Sequence, residues 1–158
     1  MSASQFDPNA DTADREIVIT RLINAPRDLV FTAFTDVRHV DNWWGPEGFR
    51  NETRSMDVRP GGTWMYIMHG ADGIDFENKV AYLEVTRPER LVYWHGDWQD
   101  NGVFHVTITF TEQAGKTLLT MRSVFSSAEE RRMVVEKYKA IEGGNQTINR
   151  LEAYLPTM

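Results

Sequence analysis

The sequence contains no cysteine, and this excludes disulfides, thiolate metal sites and a cysteine nucleophile. It also lacks an apolar run near the roughly 20 residues that a membrane-spanning helix needs, so we expect no membrane insertion. Basic side chains are outnumbered, 17 against 23 acidic ones, which gives a formal net charge of −6. This balance disfavours binding to nucleic acid or to an anionic membrane surface. The lack of cysteine fits a reducing compartment, and we expect a cytoplasmic protein.

Several motifs that carry chemistry are also absent. There is no serine nucleophile elbow, no phosphate-binding glycine loop and no dinucleotide fingerprint. Gly61 and Gly62 follow Pro60 in a turn between predicted strands, and no helix follows them as it would in a phosphate loop. No two histidines have the spacing of metal ligands on a helix or hairpin. We therefore expect neither a cofactor nor a metal.

The chain length of 158 residues is most simply one domain with a sizeable core. Residues 1–14 are rich in small and polar types and lack the basic and apolar regions of a signal peptide. We expect them to form a flexible tail. Residues 15–156 are expected to form the single folded domain.

The larger part of the chain has the pattern of short strands separated by turns. Glycine-containing turns such as Asp72-Gly73 and Asn101-Gly102 favour hairpins, because these turns need positive φ. Short connections require antiparallel neighbours. Seven strands are predicted, at 16–23, 51–58, 63–69, 74–86, 91–98, 103–112 and 117–125.

Helical patterns follow the first strand and close the chain. Two short helices are predicted at about 26–35 and from Asp36 toward Trp43. A single long helix is predicted from Ser127 to Leu155, with an apolar stripe along one face. Gly143 and Gly144 lower its helix propensity by about 1 kcal/mol each relative to alanine. We expect a packing reason for them, either close approach of the sheet backbone or a kink.

The order of these elements and several sequence motifs resemble a known family. The motifs are Ala25-Pro26, the run Trp-Trp-Gly-Pro at 43–46 with Gly48-Phe49, and the segments 57–62, 88–93, 107–112 and 140–144. Together they resemble the family named for activators of a heat-shock-protein ATPase, in the START-like (SRPBCC) superfamily. The resemblance extends over about residues 15–155.

The resemblance implies an α+β helix-grip fold. In this fold a curved seven-stranded antiparallel sheet wraps around a long C-terminal helix, two short helices follow strand 1, and a ligand cavity lies between sheet and helix. The superfamily includes lipid carriers, hormone receptors, polyketide cyclases, hydrolases and co-chaperones, so the fold alone does not determine function.

The predicted lining of this cavity comes from alternation in the strands and from the helix stripe. Trp64, Tyr66 and Met68 share the bulkier face of one strand, either as plain core or as cavity lining. Trp43 and Trp44 are expected to form a hydrophobic plug or a wall of the cavity mouth. The full predicted ligand-binding set is Trp64, Tyr66, Met68, Tyr93, His95, Met121, Tyr138, Ile141, Glu142 and Asn145.

Two residues are candidates for acid–base chemistry in the cavity. His95 alternates with Tyr93 and should point inward. It is either a buried histidine with its hydrogen bonds made, or a residue that hydrogen-bonds a ligand or acts as a general base. Glu142 precedes the two glycines on the last helix, either on a solvated face or as a carboxylate at the cavity edge with a raised pKa. His105 is expected on the outer face of the sheet.

Three classes of function are compatible with these features. We favour binding of an apolar or aromatic, lipid-like small molecule, because an apolar lining is predicted without a convincing acid–base pair. The alternatives are a cyclase- or hydrolase-type enzyme that uses the same cavity, and a co-chaperone-like interaction module. The expected partner is thus an apolar small molecule, and the protein is expected to be a monomer or homodimer.

Overall fold

The computed structural model describes residues 10–158, which form an α+β structure. The strands are β1 Glu16–Ile23, β2 Arg50–Met56, β3 Thr63–His69, β4 Asp75–Thr86, β5 Arg90–Gly96, β6 Phe104–Gln113 and β7 Lys116–Val124. The helices are α1 Arg27–Thr35, α2 Val37–Val40, α3 Ala128–Glu136 and α4 Ala140–Tyr154. A short 3-10 turn over Leu155–Thr157 ends the chain.

The seven strands form one antiparallel sheet in the order β1-β7-β6-β5-β4-β3-β2. Apart from the contact between β1 and β7, every pair of neighbours follows directly in sequence, as the short glycine-containing turns predict. The sheet curves around the C-terminal helix, and α1 and α2 follow β1. The predicted helix-grip arrangement and its seven strands are therefore confirmed.

The last helix differs from the prediction. The expected single helix from Ser127 to Leu155 is divided into α3 and α4, because Lys139 adopts a left-handed conformation with φ of 55°. The backbone N–H of Lys137 still donates to the carbonyl of Met133 at 2.8 Å, which closes the last turn of α3. Tyr138, expected on a buried stripe, lies in this break and keeps 55% of its surface exposed.

The core lies between the sheet and the helices and is rich in aromatic rings. Phe34 packs edge-on against Trp43, with ring centroids 4.8 Å apart, and against Phe110 at 5.3 Å. The indole N–H of Trp43 donates to the carbonyl of Ala33 at 3.1 Å, which satisfies its one polar group inside the core. These contacts anchor α1 and the segment after α2, and they support the interpretation of Trp43 as a hydrophobic plug.

Helix α4 packs on β1 at Gly144 and on the segment after α2 at Gly143. A Cβ at Gly144 would lie 2.5 Å from Cδ1 of Ile19, and a Cβ at Gly143 would lie 3.3 Å from Cγ of Pro46. The glycines therefore have a packing role, but their close neighbours are side chains and not sheet backbone, one of the two reasons that we expected. Arg21 of β1 forms an ion pair with Glu152 at the other end of this contact.

The expected tail, residues 1–14, lies mostly outside the described residues. In the part that is described, Thr12 is buried, with 4% of its surface exposed. Its hydroxyl donates to the Glu16 carboxylate at 2.7 Å and accepts from the Arg122 guanidinium. The chain is therefore already packed against β1 and β7 at Thr12.

Candidate functional site

An open cavity of about 740 Å³ lies between the middle of the sheet and the junction of α3 with α4. Its apolar lining includes Met68, Phe76, Phe104, Phe125, Val134 and Tyr138, and its polar lining includes Asn78, His95, Asp75, Glu77 and Asp97. This volume lies within the range of pockets that hold small organic molecules.

Strand register places the aromatic lining residues of the sheet, together with His95 and Asn78, on its inner face. Met68 is paired with Phe76 and Tyr66 with Asn78 across β3 and β4, while His95 is paired with Phe104 across β5 and β6. Directly opposite residues in an antiparallel pair point to the same side of the sheet. Alternation along each strand therefore directs these side chains toward the helices and away from the outer face.

His95 is the centre of a hydrogen-bonded group on the cavity wall. Its Nε2 lies 3.1 Å from the hydroxyl oxygen of Tyr66 and 3.0 Å from Oδ1 of Asn78. The indole N–H of Trp44 donates to the same Tyr66 hydroxyl at 3.2 Å. Asn78 in turn donates through Nδ2 to the carbonyl of Phe76 at 3.0 Å.

The surroundings of His95 favour its neutral form. Burial lowers the pKa of His95 to about 4, because the charged imidazolium loses hydration that the site does not replace. Burial also raises the pKa of Tyr66 well above its ordinary value, and the nearby Tyr93 adds to this effect. The wall therefore presents an uncharged imidazole and an uncharged phenol at neutral pH.

Carboxylates line the outer part of the cavity. Asp75 contacts Nδ1 of His69 at 2.7 Å, whereas Asp97 accepts from the backbone N–H groups of Gln99 and Asn101 at 2.9 and 2.8 Å. The hydrogen bonds from Asn101 and Gln99 lower the pKa of Asp97, because they stabilise its charged form. Glu77 is exposed and has no ion pair within residues 10–158. The register of β4 on β3 sets Asp75 opposite His69 and Glu77 opposite Ile67, so these two carboxylates lie on the outer face of the sheet at the rim of the cavity.

Three of the predicted ligand-binding residues line this cavity, namely Met68, His95 and Tyr138. Trp64, Tyr66 and Tyr93 lie on the same face of the sheet but are buried in the core, with at most 4% of their surface exposed. Trp64 stacks on Tyr66 with ring centroids 4.1 Å apart. Trp64 therefore lies behind the cavity wall and does not line the cavity.

The other four predicted residues, Met121, Ile141, Glu142 and Asn145, do not belong to the cavity lining of the described residues. Asn145 instead accepts from Arg21 at 3.1 Å and donates to the carbonyl of Ile141 at 3.0 Å. Glu142 is exposed in the first turn of α4. The break at Lys139 accounts for the three helix residues, because a continuous helix would have placed the whole stripe against the cavity. Met121 lies on β7 directly opposite Ile19, where α4 covers the sheet.

Sequence reasoning missed several lining residues, chiefly Phe76, Asn78 and Phe125. Phe76 and Asn78 lie at the start of β4, in a polar stretch without an obvious buried face, so only the pairing with β3 places them inside. His105 is on the outer face as expected, but it is buried there, with 8% of its surface exposed. It packs edge-on against Trp94 at 4.9 Å between ring centroids.

The described residues contain no group of three or more His, Asp or Glu side chains arranged to hold a metal ion. None of the helices in residues 10–158 combines the length and apolar character needed to cross a bilayer.

The curved antiparallel sheet, the C-terminal helix and the cavity between them define the helix-grip class of proteins. A family model described as "Activator of Hsp90 ATPase homolog 1-like protein" matches residues 24–156. The chain belongs to this family, as its sequence motifs indicated.

Solved structures share this fold over nearly the whole chain. Protein Ms6760 from Mycobacterium smegmatis is 29% identical, with a TM-score of 0.82 and coverage of 93% of this chain and 94% of that one. Protein NE0264 from Nitrosomonas europaea is 25% identical, with a TM-score of 0.83 and coverage of 92% and 96%. A protein from Arthrobacter aurescens is 23% identical, with a TM-score of 0.85 and coverage of 95% and 91%. A search of curated proteins finds no significant match.

Proposed function

We propose that this protein binds an apolar or aromatic small molecule in the cavity between the sheet and the junction of α3 with α4. The observation that carries the proposal is the cavity itself, about 740 Å³ in volume and lined by aromatic and aliphatic side chains around a single imidazole. An apolar pocket with a few convergent polar groups is the usual form of a small-molecule site.

The proportion of apolar to polar side chains in the cavity lining supports a ligand that is mainly hydrophobic. Phe76, Phe104 and Phe125 supply flat apolar surface, while His95 and Asn78 supply polar groups on the inner face of the sheet. Burial of apolar surface contributes about 25 cal/mol per Å², and the polar pair would fix the ligand's orientation. Of the residues predicted as ligand-binding, Met68, His95 and Tyr138 are those we propose to contact it.

A binding test follows from the geometry. An apolar fluorescent probe should bind the purified protein with micromolar affinity, about −8 kcal/mol, and change the tryptophan fluorescence. Ala140 begins α4 and lines the cavity, so Ala140→Trp should obstruct it and weaken binding at least tenfold. Ala153→Trp, at an exposed position of the same helix, is the matched control and should bind as the parent does.

Two results would refute the proposal. One is a parent protein that binds no apolar probe and carries no small molecule in native mass spectrometry after purification. The other is equal affinity in the parent and Ala140→Trp, with both folded by circular dichroism, since the probe would then bind outside the cavity.

A cyclase- or hydrolase-type reaction is the second candidate, because a neutral imidazole at a cavity wall is suited to proton transfer. His95 contacts Tyr66 and Asn78 but no carboxylate. Ligand affinity and turnover should be measured for the parent, His95→Gln and Glu142→Gln. Loss of a measured turnover in His95→Gln with ligand affinity retained would favour the enzyme over the simple binder.

A further inference from the structure

The hydrogen-bond donors around His95 fix which of its ring nitrogens carries the proton. Tyr66 is fully buried and its hydroxyl oxygen already accepts from the indole N–H of Trp44. Its own hydrogen has one acceptor among the described residues, Nε2 of His95 at 3.1 Å. An unsatisfied hydroxyl in this core would cost about 1–3 kcal/mol. The Tyr66 hydroxyl therefore donates to Nε2, and the neutral ring carries its hydrogen on Nδ1.

Asn78 accommodates this arrangement. Its Oδ1 lies 3.0 Å from the same Nε2, and two acceptors do not attract each other. Asn78 keeps the hydrogen bond from its Nδ2 to the carbonyl of Phe76 at 3.0 Å, and because it is half-buried and lines the cavity, its Oδ1 is free to accept from a ligand or from water. Tyr66, enclosed on all sides, has no such freedom.

The Nδ1–H group of His95 is then a donor without a protein partner. Within residues 10–158, Nδ1 of His95 makes no hydrogen bond. Nδ1 of His105 also lacks a partner and is fully buried, but Nδ1 of His95 is not one of the fully buried atoms without a partner. Nδ1 of His95 thus keeps accessible surface, and the open space beside it is the cavity that His95 lines. A bound molecule with an acceptor oxygen would satisfy it.

The charge of the cavity disfavours one large class of such molecules. The described residues that line it include no lysine or arginine, and the carboxylates of Asp75 and Glu77 lie on the outer face of β4, opposite His69 and Ile67. An anionic ligand would lose hydration with no cation to pair with, a cost that increases where the site is shielded from water.

We propose that the cavity selects an uncharged apolar molecule with a carbonyl oxygen, such as an aromatic ketone, over a carboxylate such as a fatty acid. The carbonyl accepts from Nδ1–H of His95, and a carboxylate finds no cation in the described lining to offset its lost hydration. This inference rests on the proposed binding function and specifies the ligand class for that same cavity.

Three matched fluorescent probes test the selection. They are propionyl-dimethylaminonaphthalene (the ketone probe), the corresponding dimethylaminonaphthoate (the carboxylate probe) and dimethylaminonaphthalene without a carbonyl (the parent probe). The ketone probe should bind about tenfold more tightly than the parent probe, because it adds one desolvated hydrogen bond. Its affinity should exceed that of the carboxylate probe by at least the same factor.

A substitution that adds a cation separates the effect of charge from that of shape. Gln99 is exposed and lines the cavity, so Gln99→Lys should increase affinity for the carboxylate probe several-fold and leave the ketone probe unchanged. Gln113→Lys makes the same charge change at an exposed position outside the cavity lining and should alter neither. Equal affinity of the unmodified protein for ketone and carboxylate probes would overturn the inference.

The tautomer is measured directly on the unmodified protein. A long-range ¹H–¹⁵N NMR spectrum should show His95 with Nδ1 protonated and Nε2 bare at pH 7. Protonation at Nε2 would contradict the assignment and remove the donor. If none of the three probes binds, the proposed binding function itself is wrong. If all three bind with equal affinity, the binding function holds and the proposed selection is wrong.

Discussion

At the scale of single residues, His95 and His69 occupy opposite electrostatic surroundings. His95 is held among Tyr66, Asn78 and apolar rings, and burial lowers its pKa to about 4. His69 lies between the carboxylates of Glu52 and Asp75, at 2.8 and 2.7 Å. Its pKa is raised, first by the hydrogen bond to Glu52 and then by that to Asp75. The first site disfavours a proton and the second favours one.

These two settings predict opposite effects of pH on stability. In the unfolded chain His95 takes up a proton near pH 6.5, whereas in the folded chain it resists protonation until about pH 4. The folded state therefore loses stability as the pH falls from 6.5 toward 4, by an amount on the order of 2 kcal/mol at pH 4.5. In urea unfolding, the stability difference between the parent and His95→Gln should shrink over this range.

His69→Gln provides the comparison of opposite sign. The protonated His69 stabilises the fold below about pH 6.5, and this contribution is lost as the pH rises through its raised folded pKa. His69→Gln should therefore be more harmful at pH 5.5 than at pH 8.5. A His95→Gln difference that is constant with pH would show that His95 is protonated equally in both states.

At the scale of elements, the division of the C-terminal helix determines what reaches the cavity. Helix α3 ends at Glu136 and the left-handed Lys139 is the N-cap of α4. Val134 and Tyr138 therefore line the cavity from one side of the break and Ala140 from the other. Beyond the break, α4 is committed to β1, where Arg21 holds Asn145 and Glu152. One part of the predicted stripe therefore packs on the sheet and another part borders the cavity.

The contact of α4 with β1 predicts a compensating pair of substitutions. Gly144→Leu should destabilise the protein by about 1–3 kcal/mol through overpacking against Ile19, despite better helix propensity. Ile19→Ala alone should cost about 1–2 kcal/mol, less than the large-to-small change of a fully buried side chain, because Ile19 is half-buried. The double variant should be less destabilised than the sum of the two, because the leucine occupies the space that Ile19 leaves. Thermal or urea unfolding measures all three.

Additive effects of the two substitutions would show that Gly144 and Ile19 are not in contact. A Gly144→Leu variant more stable than the parent would show that the glycine has no packing role. Glu142→Gln, on the exposed side of the same helix, should change stability by less than about 0.5 kcal/mol and is the control for a general helix effect.

At the scale of the whole molecule, an occupied cavity should stabilise the fold, because its lining comes from β3 to β6, α3 and α4 together. A ligand that binds only the folded state adds about 2.7 kcal/mol at a free concentration 100 times its Kd. The ketone probe should therefore raise the melting temperature of the parent by several degrees. It should leave that of Ala140→Trp nearly unchanged, and equal shifts in both would place its binding outside the cavity.

The sequence by itself determined the fold class and most of the element boundaries. Local turn chemistry set the strands apart, because turns such as Asp72-Gly73 and Asn101-Gly102 adopt positive φ at glycine. Period-two alternation then placed Tyr93 and His95 on the inner face of β5. These are properties of neighbouring residues, so they can be read from the chain.

Only the tertiary structure decided which inward side chains border open space. Trp64 and Met68 share a strand face, yet Trp64 is packed behind the wall and Met68 lines the cavity. Phe76 and Asn78 reach the cavity through the register of β4 on β3, and the break at Lys139 turns Asn145 toward Arg21. Each of these outcomes depends on contacts between residues far apart in the chain, and local periodicity carries no information about them.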